Sequence, residues 1–122
     1  MNLRTILIAT ILFTVLTVTA APRPSQPPKT ININASRFAF DPNEITINKG
    51  DVVTLIIHSK DVAHGLVIED LDVRTEVKKG QSTSVTFTPD TLGTFEGKCA
   101  HFCGSGHGSM TLLVHVVASG AP

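Results

Sequence analysis

From residue 31 onward, apolar and polar side chains alternate in short runs. Ile31 and Ile33 alternate with Asn32 and Asn34, and Ile45 and Ile47 with Thr46 and Asn48. Val53, Leu55 and Ile57 share one face, as do Leu66 and Ile68, Val85 and Phe87, and finally Leu112, Val114 and Val116. A period of two puts every second side chain on the same side of an extended chain, the pattern of half-buried strands. Turn signals separate the runs: Asp41-Pro42-Asn43, Lys49-Gly50-Asp51, Lys79-Gly80 and Pro89-Asp90. No stretch has a helical period, although Leu71–Val77 reads either way. The pattern predicts an all-β sandwich of seven or eight short, mainly antiparallel strands. Its two inner faces would be filled by Val, Ile, Leu and Phe. His58 and His115 alternate with core positions and are read as outward-facing.

The amino-terminal segment has a different pattern. Arg4 precedes an apolar run, Ile6 to Val18, and small residues follow at Ala20 and Ala21 before Pro22. That layout predicts a secretory signal over 1–21. The run is shorter than the roughly 20 residues a spanning helix needs, so no stable membrane insertion is expected after cleavage. Residues 22–29 are Pro-rich and read as a tether, leaving 30–118 as the folded domain. A periplasmic or secreted location follows as an expectation.

Composition narrows the function. A chain of 122 residues fits one domain. Ten Lys+Arg against ten Asp+Glu leave no basic excess, which excludes nucleic acid as an expected partner. Two Cys cannot staple a disulfide scaffold. Asp61, Glu69, Asp70 and Asp72 form a modest acidic group that is either a solvated face or a steering surface for a basic partner.

The chemistry is concentrated in Cys99-Ala100-His101-Phe102-Cys103-Gly104-Ser105-Gly106-His107-Gly108-Ser109-Met110, between two predicted strands. Thiol, imidazole and thioether groups together select soft or borderline metals over hard cations. The glycines let the chain curl around a small centre. Three readings of the residues stand. A Cys99–Cys103 disulfide suits an oxidising compartment but leaves His107 and Met110 unexplained. A closed zinc site needs about four N or S ligands, and Met110 is a poor one. Copper accommodates the whole set. Phe102 is either a shield over the metal or an ordinary core residue.

The spacing Cys99, three residues, Cys103, three residues, His107, two residues, Met110 resembles the binuclear CuA copper domain of cytochrome c oxidase subunit II. That is a cupredoxin fold also present in nitrous oxide reductase. His64, in Asp61-Val62-Ala63-His64-Gly65, stands at the family's upstream position, and Pro42-x-x-Ile45-x-Ile47-x-x-Gly50-Asp51 is similar to a cupredoxin strand pair. The resemblance spans about residues 38 to 117. It implies a cupredoxin-like Greek-key sandwich holding two copper ions. Cys99 and Cys103 would bridge them, and His64 and His107 would each terminate one. Met110 and the backbone carbonyl of His101 would be weak ligands. With every position filled by protein, the resemblance implies a soluble electron carrier and not an enzyme. The partner would be a redox protein such as a cytochrome c or a reductase, and the carrier itself would be a monomer. Residue 101 departs from the family, which has Glu where this chain has His. A copper carrier using the same ligands, and a mononuclear cupredoxin, are the alternatives.

Overall fold

The computed structural model describes residues 15–21 and 27–119. Residues 1–14 of the predicted signal and 22–26 of the predicted tether lie outside the described residues. Residues 15–21 have no regular structure and are exposed.

Nine strands are present among the described residues: β1 (Lys29–Ser36), β2 (Ala39–Asp41), β3 (Glu44–Asn48), β4 (Val53–Ser59), β5 (His64–Ile68), β6 (Val73–Val77), β7 (Ser82–Phe87), β8 (Gly93–Lys98) and β9 (Thr111–Val117). Two single 3-10 turns, Glu69–Leu71 and His107–Ser109, complete the elements. One sheet has the order β2-β1-β4-β7 and the other β3-β9-β8-β5-β6. The pairings β1·β4 and β3·β9 are parallel and the others antiparallel. The expected mainly antiparallel Greek-key sandwich is therefore the fold, with one strand more than predicted. The additional strand is the three-residue β2, too short to show a periodicity of its own. The ambiguous stretch Leu71–Val77 ends one 3-10 turn and then forms β6.

The alternation seen in the sequence becomes the core. Ile33, Ile45, Ile47, Val53, Leu55, Ile57, Leu66, Ile68, Leu112, Val114 and Val116 are buried between the sheets. Each side chain of this kind contributes about 1.5–3 kcal/mol when fully removed from water. His58 and His115 lie half-buried on the outer faces. His58 Nδ1 pairs with Ser82 Oγ at 2.9 Å, and His115 bonds Thr94 and Glu44 across neighbouring strands.

The strands leave two ends. At one, the β4–β5 connection, the β6–β7 turn and the long β8–β9 loop come together. That end carries all the candidate ligands.

Candidate metal centre

His64 is the first residue of β5 and is completely buried. Gly65 makes this possible. A Cβ at Gly65 would come within 3.1 Å of both the Ala100 side chain and the His101 backbone nitrogen, so any larger residue would press β5 and the ligand loop apart by a few tenths of an ångström. The imidazole is oriented by Asp61, whose Oδ1 is 2.7 Å from His64 Nε2. The Nε2–H donates to that carboxylate, which leaves Nδ1 as the free donor atom, 4.0 Å from Cys99 Sγ. A carboxylate behind the far nitrogen is the usual way a metal-binding imidazole is held in one tautomer.

Asp61 is itself well supported. Its Oδ2 accepts the Arg37 backbone N–H at 2.7 Å and its Oδ1 accepts the Val62 N–H at 2.7 Å. Burial pushes its carboxyl up. The Arg37 N–H, the His64 ring and the Val62 N–H together outweigh that and bring it down to about 2.

The loop from Cys99 to Met110 is closed at its base by the bond from Cys99 N–H to the Met110 carbonyl, 3.1 Å. Cys99, Cys103 and Met110 point inward and are buried, with free thiols 3.7 Å apart. No disulfide spans that distance, since the bond length is about 2.05 Å. Met110 Sδ lies 3.9 Å from Cys103 Sγ, and His107 Nδ1 lies 3.8 Å from the same sulfur. Burial, and next the neighbouring Cys99 thiol, push the Cys103 thiol up to about 11. A metal ion at this place therefore displaces a firmly held proton.

Among the described residues, the group whose donor atoms all lie within 4.8 Å of one another is His64, Cys99 and Cys103. This corrects the expectation of a two-copper centre. One compact set of three donors is the size of a single-metal site, and soft sulfur with imidazole suits copper. His107 reaches Cys103 but stands outside the set, on a half-exposed 3-10 turn. The carbonyl of His101 was expected on a second copper. It instead accepts the Cys99 S–H at 3.1 Å. The His101 side chain is exposed. Neither the two-copper cofactor nor the function built on it matches this arrangement.

Three residues to which the sequence pattern gave no role at the site shape it. Arg37 Nε donates to the Cys103 carbonyl at 2.9 Å while its backbone holds Asp61. Phe38 lies under the loop, so that a Cβ at Gly106 would fall 2.4 Å from its ring. Asp61, read as part of an acidic surface group, is the partner of His64. Its position three residues before that histidine is the signal that could have found it. Phe102 is neither shield nor core: it is 75% exposed, with its ring 5.7 Å from that of His107.

The family described as cupredoxin-like domain matches residues 6–112. Cytochrome c oxidase subunit 2 of Thermus thermophilus is 32% identical over 81 residues, covering 66% of this chain and 60% of that protein. Nitrous-oxide reductase of Cupriavidus necator is 36% identical over 93 residues, covering 73% of this chain and 14% of the enzyme. The chain spans 60% and 48% of the length of two Thermus thermophilus subunits it matches. Among solved structures, the periplasmic domain of subunit II of cytochrome oxidase from Bradyrhizobium japonicum superposes with a TM-score of 0.69 at 17% identity, covering 79% of this chain and 89% of that one. Auracyanin A of Chloroflexus aurantiacus, a "blue" copper protein, gives 0.62 at 19% identity, covering 75% of this chain and 100% of that one. The relationship to the copper-binding domain of oxidase subunit II is thus in the sequence, and the fold is common to both kinds of protein.

Proposed function

The chain belongs to the cupredoxin-like domain family, and on that footing we propose that it is a non-enzymatic carrier of single electrons built around one copper ion. The observation that carries this reading is the buried cluster of His64, Cys99 and Cys103, whose donor atoms lie within 4.8 Å of one another. Met110 Sδ would be a weak donor beside it, and His107 Nδ1, outside the cluster, would be a further donor at the exposed edge. The copper would supply a one-electron couple between its cupric and cuprous states. The protein's part is to hold the donors in place. Asp61 fixes the His64 ring, the sandwich holds both ends of the ligand loop, and Arg37 and Phe38 brace its middle. A rigid donor set keeps the change in shape between the two redox states small, which favours rapid transfer. The inward-facing ligands include no acid–base pair aimed at an open metal position, as catalysis would require.

The partner is a redox protein such as a cytochrome c or a reductase, by analogy with the oxidase subunits. A periplasmic or secreted location is supported by the leader pattern and by the periplasmic origin of one structural neighbour. No helix among the described residues is long and apolar enough to cross a membrane.

Metal analysis with electron paramagnetic resonance tests the reading. One copper per chain, with a four-line hyperfine signal in the oxidised state and a reversible one-electron couple, is expected. Protein that binds no copper, or that loses it to a chelator on every reduction, overturns the carrier of electrons. The second of these outcomes favours copper delivery, a role for which two thiols and a thioether are suited because they favour Cu(I).

A further inference from the structure

We infer that the metal-bearing end of this molecule receives an acidic protein partner, one whose own redox centre is ringed by Asp and Glu; the inference rests on the electron-transfer reading above. The observation is a separation of charge between the two ends of the sandwich.

At the metal end, Lys60 follows β4 and its N–H bonds the Ala35 carbonyl at 3.0 Å. The turn bearing Lys78 and Lys79 is tied to the same place. Gly80 N–H donates to the Ser59 carbonyl, Ser59 N–H donates to the Gln81 carbonyl, and Val77 stands opposite His64 in the sheet. Arg37 borders the ligand loop from the other side. All four cationic residues are exposed. Among the described residues, the ion pairs join His64 to Asp61, Lys98 to Glu96 and His115 to Glu44, so none of the four is neutralised in this way. The acidic groups nearest this end are Asp61, already bound by His64 and two backbone N–H groups, Glu76 on the outer face of β6, and Asp41, which pairs with Asn34 two residues before the end of β1.

At the opposite end the sign is reversed. Glu69, Asp70 and Asp72 lie in the β5–β6 connection; Glu69 and Asp70 line a cleft with Glu96 and Lys98, Asp70 and Asp72 line another with Asp90, and Asp51 lies on the adjoining turn. Lys29, Lys49, Arg74 and Lys98 are the cations there, Lys98 paired with Glu96, so the acidic groups remain in excess. The strand β5 separates His64 from Glu69 by about 16 Å at ~3.3 Å per residue. That is about two Debye lengths at physiological salt, so an approaching partner senses each end by itself. The acidic group read in the sequence as a solvated face or a steering surface is thus divided, with Glu69, Asp70 and Asp72 at the end away from the ligands.

The centre of the basic rim suits close contact. Phe102 projects beside His107, and a shallow cleft of about 250 Å³ opens between Arg37, Val62, Ala63 and Phe102. An apolar centre within a charged rim is the usual build of a transient protein interface. Complementary charge there raises the encounter rate more than the final affinity.

Two measurements test the inference. In stopped flow, one electron passes from hexacyanoferrate(II) to the cupric protein, leaving hexacyanoferrate(III) and the cuprous protein, with no bond or proton exchanged. That rate is expected to fall with salt, and the triple variant Lys60→Glu, Lys78→Glu, Lys79→Glu should slow it about tenfold at low salt. The rate with the cationic hexaammineruthenium(II) should rise with salt and increase in the same variant. The pair Glu69→Lys, Asp70→Lys should leave both rates unchanged. A cationic reductant favoured by the native protein, or rates indifferent to the triple variant, overturns the inference. The second measurement needs no copper. In nuclear magnetic resonance of the labelled protein, polyglutamate is expected to shift residues 37, 60, 78–81 and 101–107 in a salt-sensitive way, and polylysine the opposite end. Polyglutamate shifts scattered over the surface overturn the inference. So does binding of phosphatidylglycerol vesicles through this end without any response to polyglutamate, which would make a membrane the occupant. Protein that shows no redox-active copper but gives the expected polyglutamate shifts refutes the electron-transfer reading while retaining the acidic partner.

Discussion

His64 and His107 carry the same functional group and are held in opposite ways. His64 begins a strand, is completely buried, and has its outer nitrogen bound by a carboxylate that is in turn bound by two backbone N–H groups. His107 begins a single 3-10 turn in a glycine-rich loop, is half-exposed, and stands beside an exposed phenyl ring. Both present Nδ1 to a cysteine sulfur, at 4.0 Å and 3.8 Å. The difference teaches that one side of the site is part of the sandwich and the other is laid over it. A ligand inside the core is set before any metal arrives. A ligand on the loop is free to adjust, and it stands at the exposed edge of the site.

The comparison breaks most completely if the sulfurs common to both sides are removed. Cys103→Ser is expected to weaken copper binding by well over ~100-fold, the upper range for losing a merely supporting partner. Competition against a Cu(I) chelator measures it. The two histidines should then separate in the metal-free protein. His64→Ala removes a hydrogen bond to a charged carboxylate and leaves a buried hole, a loss of about 2–4 kcal/mol in urea unfolding. His107→Ala should change the same quantity by less than about 0.5 kcal/mol, because it is half-exposed and apart from the core. Equal losses for the two would erase the distinction.

A smaller effect probes how the loop is seated. Gly106→Ala would place a methyl group 2.4 Å from the Phe38 ring, and Gly104 adopts a φ of +136° that favours glycine. Displacing Phe38 is expected to cost about 1–3 kcal/mol. It should lower copper affinity through His107 while leaving the His64 side intact, visible as a broadened hyperfine pattern. The mildest change sharpens the His64 side. Asp61→Asn retains an acceptor oxygen but gives up the charge, so copper affinity should fall about tenfold with the fold unchanged by circular dichroism. An unchanged affinity would show that the carboxylate does not orient the ring.

Much of this architecture was legible in the chain, for a local reason. Alternation with period two is a property of neighbouring residues, so Val53, Leu55 and Ile57, or Leu112, Val114 and Val116, declare their buried face without knowledge of what covers it. The spacing of Cys99, Cys103, His107 and Met110 is equally local. These residues share one loop, and their chemistry pointed to copper. Short β2 escaped because three residues have no period to read.

What the chain could not declare depended on segments far apart in it. Arg37 and Phe38 touch the ligand loop only because β1 and β2 end beneath it. Asp61 looked like one more acidic surface residue beside Glu69, Asp70 and Asp72. Folding turns β5 between them, sending Asp61 to the metal end and the others to the far end. The ligand count was decided in the same way. Four donors at the right spacing were compatible with two coppers, but spacing does not say which atoms converge. Packing brings His64, Cys99 and Cys103 into one compact group and leaves His107 on the rim. Periodicity and composition are written residue by residue, and the sequence by itself determined the sandwich and the metal's chemical class. Distances between donors, and the sign of charge at each end, exist only once the sheets have closed, and those the tertiary structure decided.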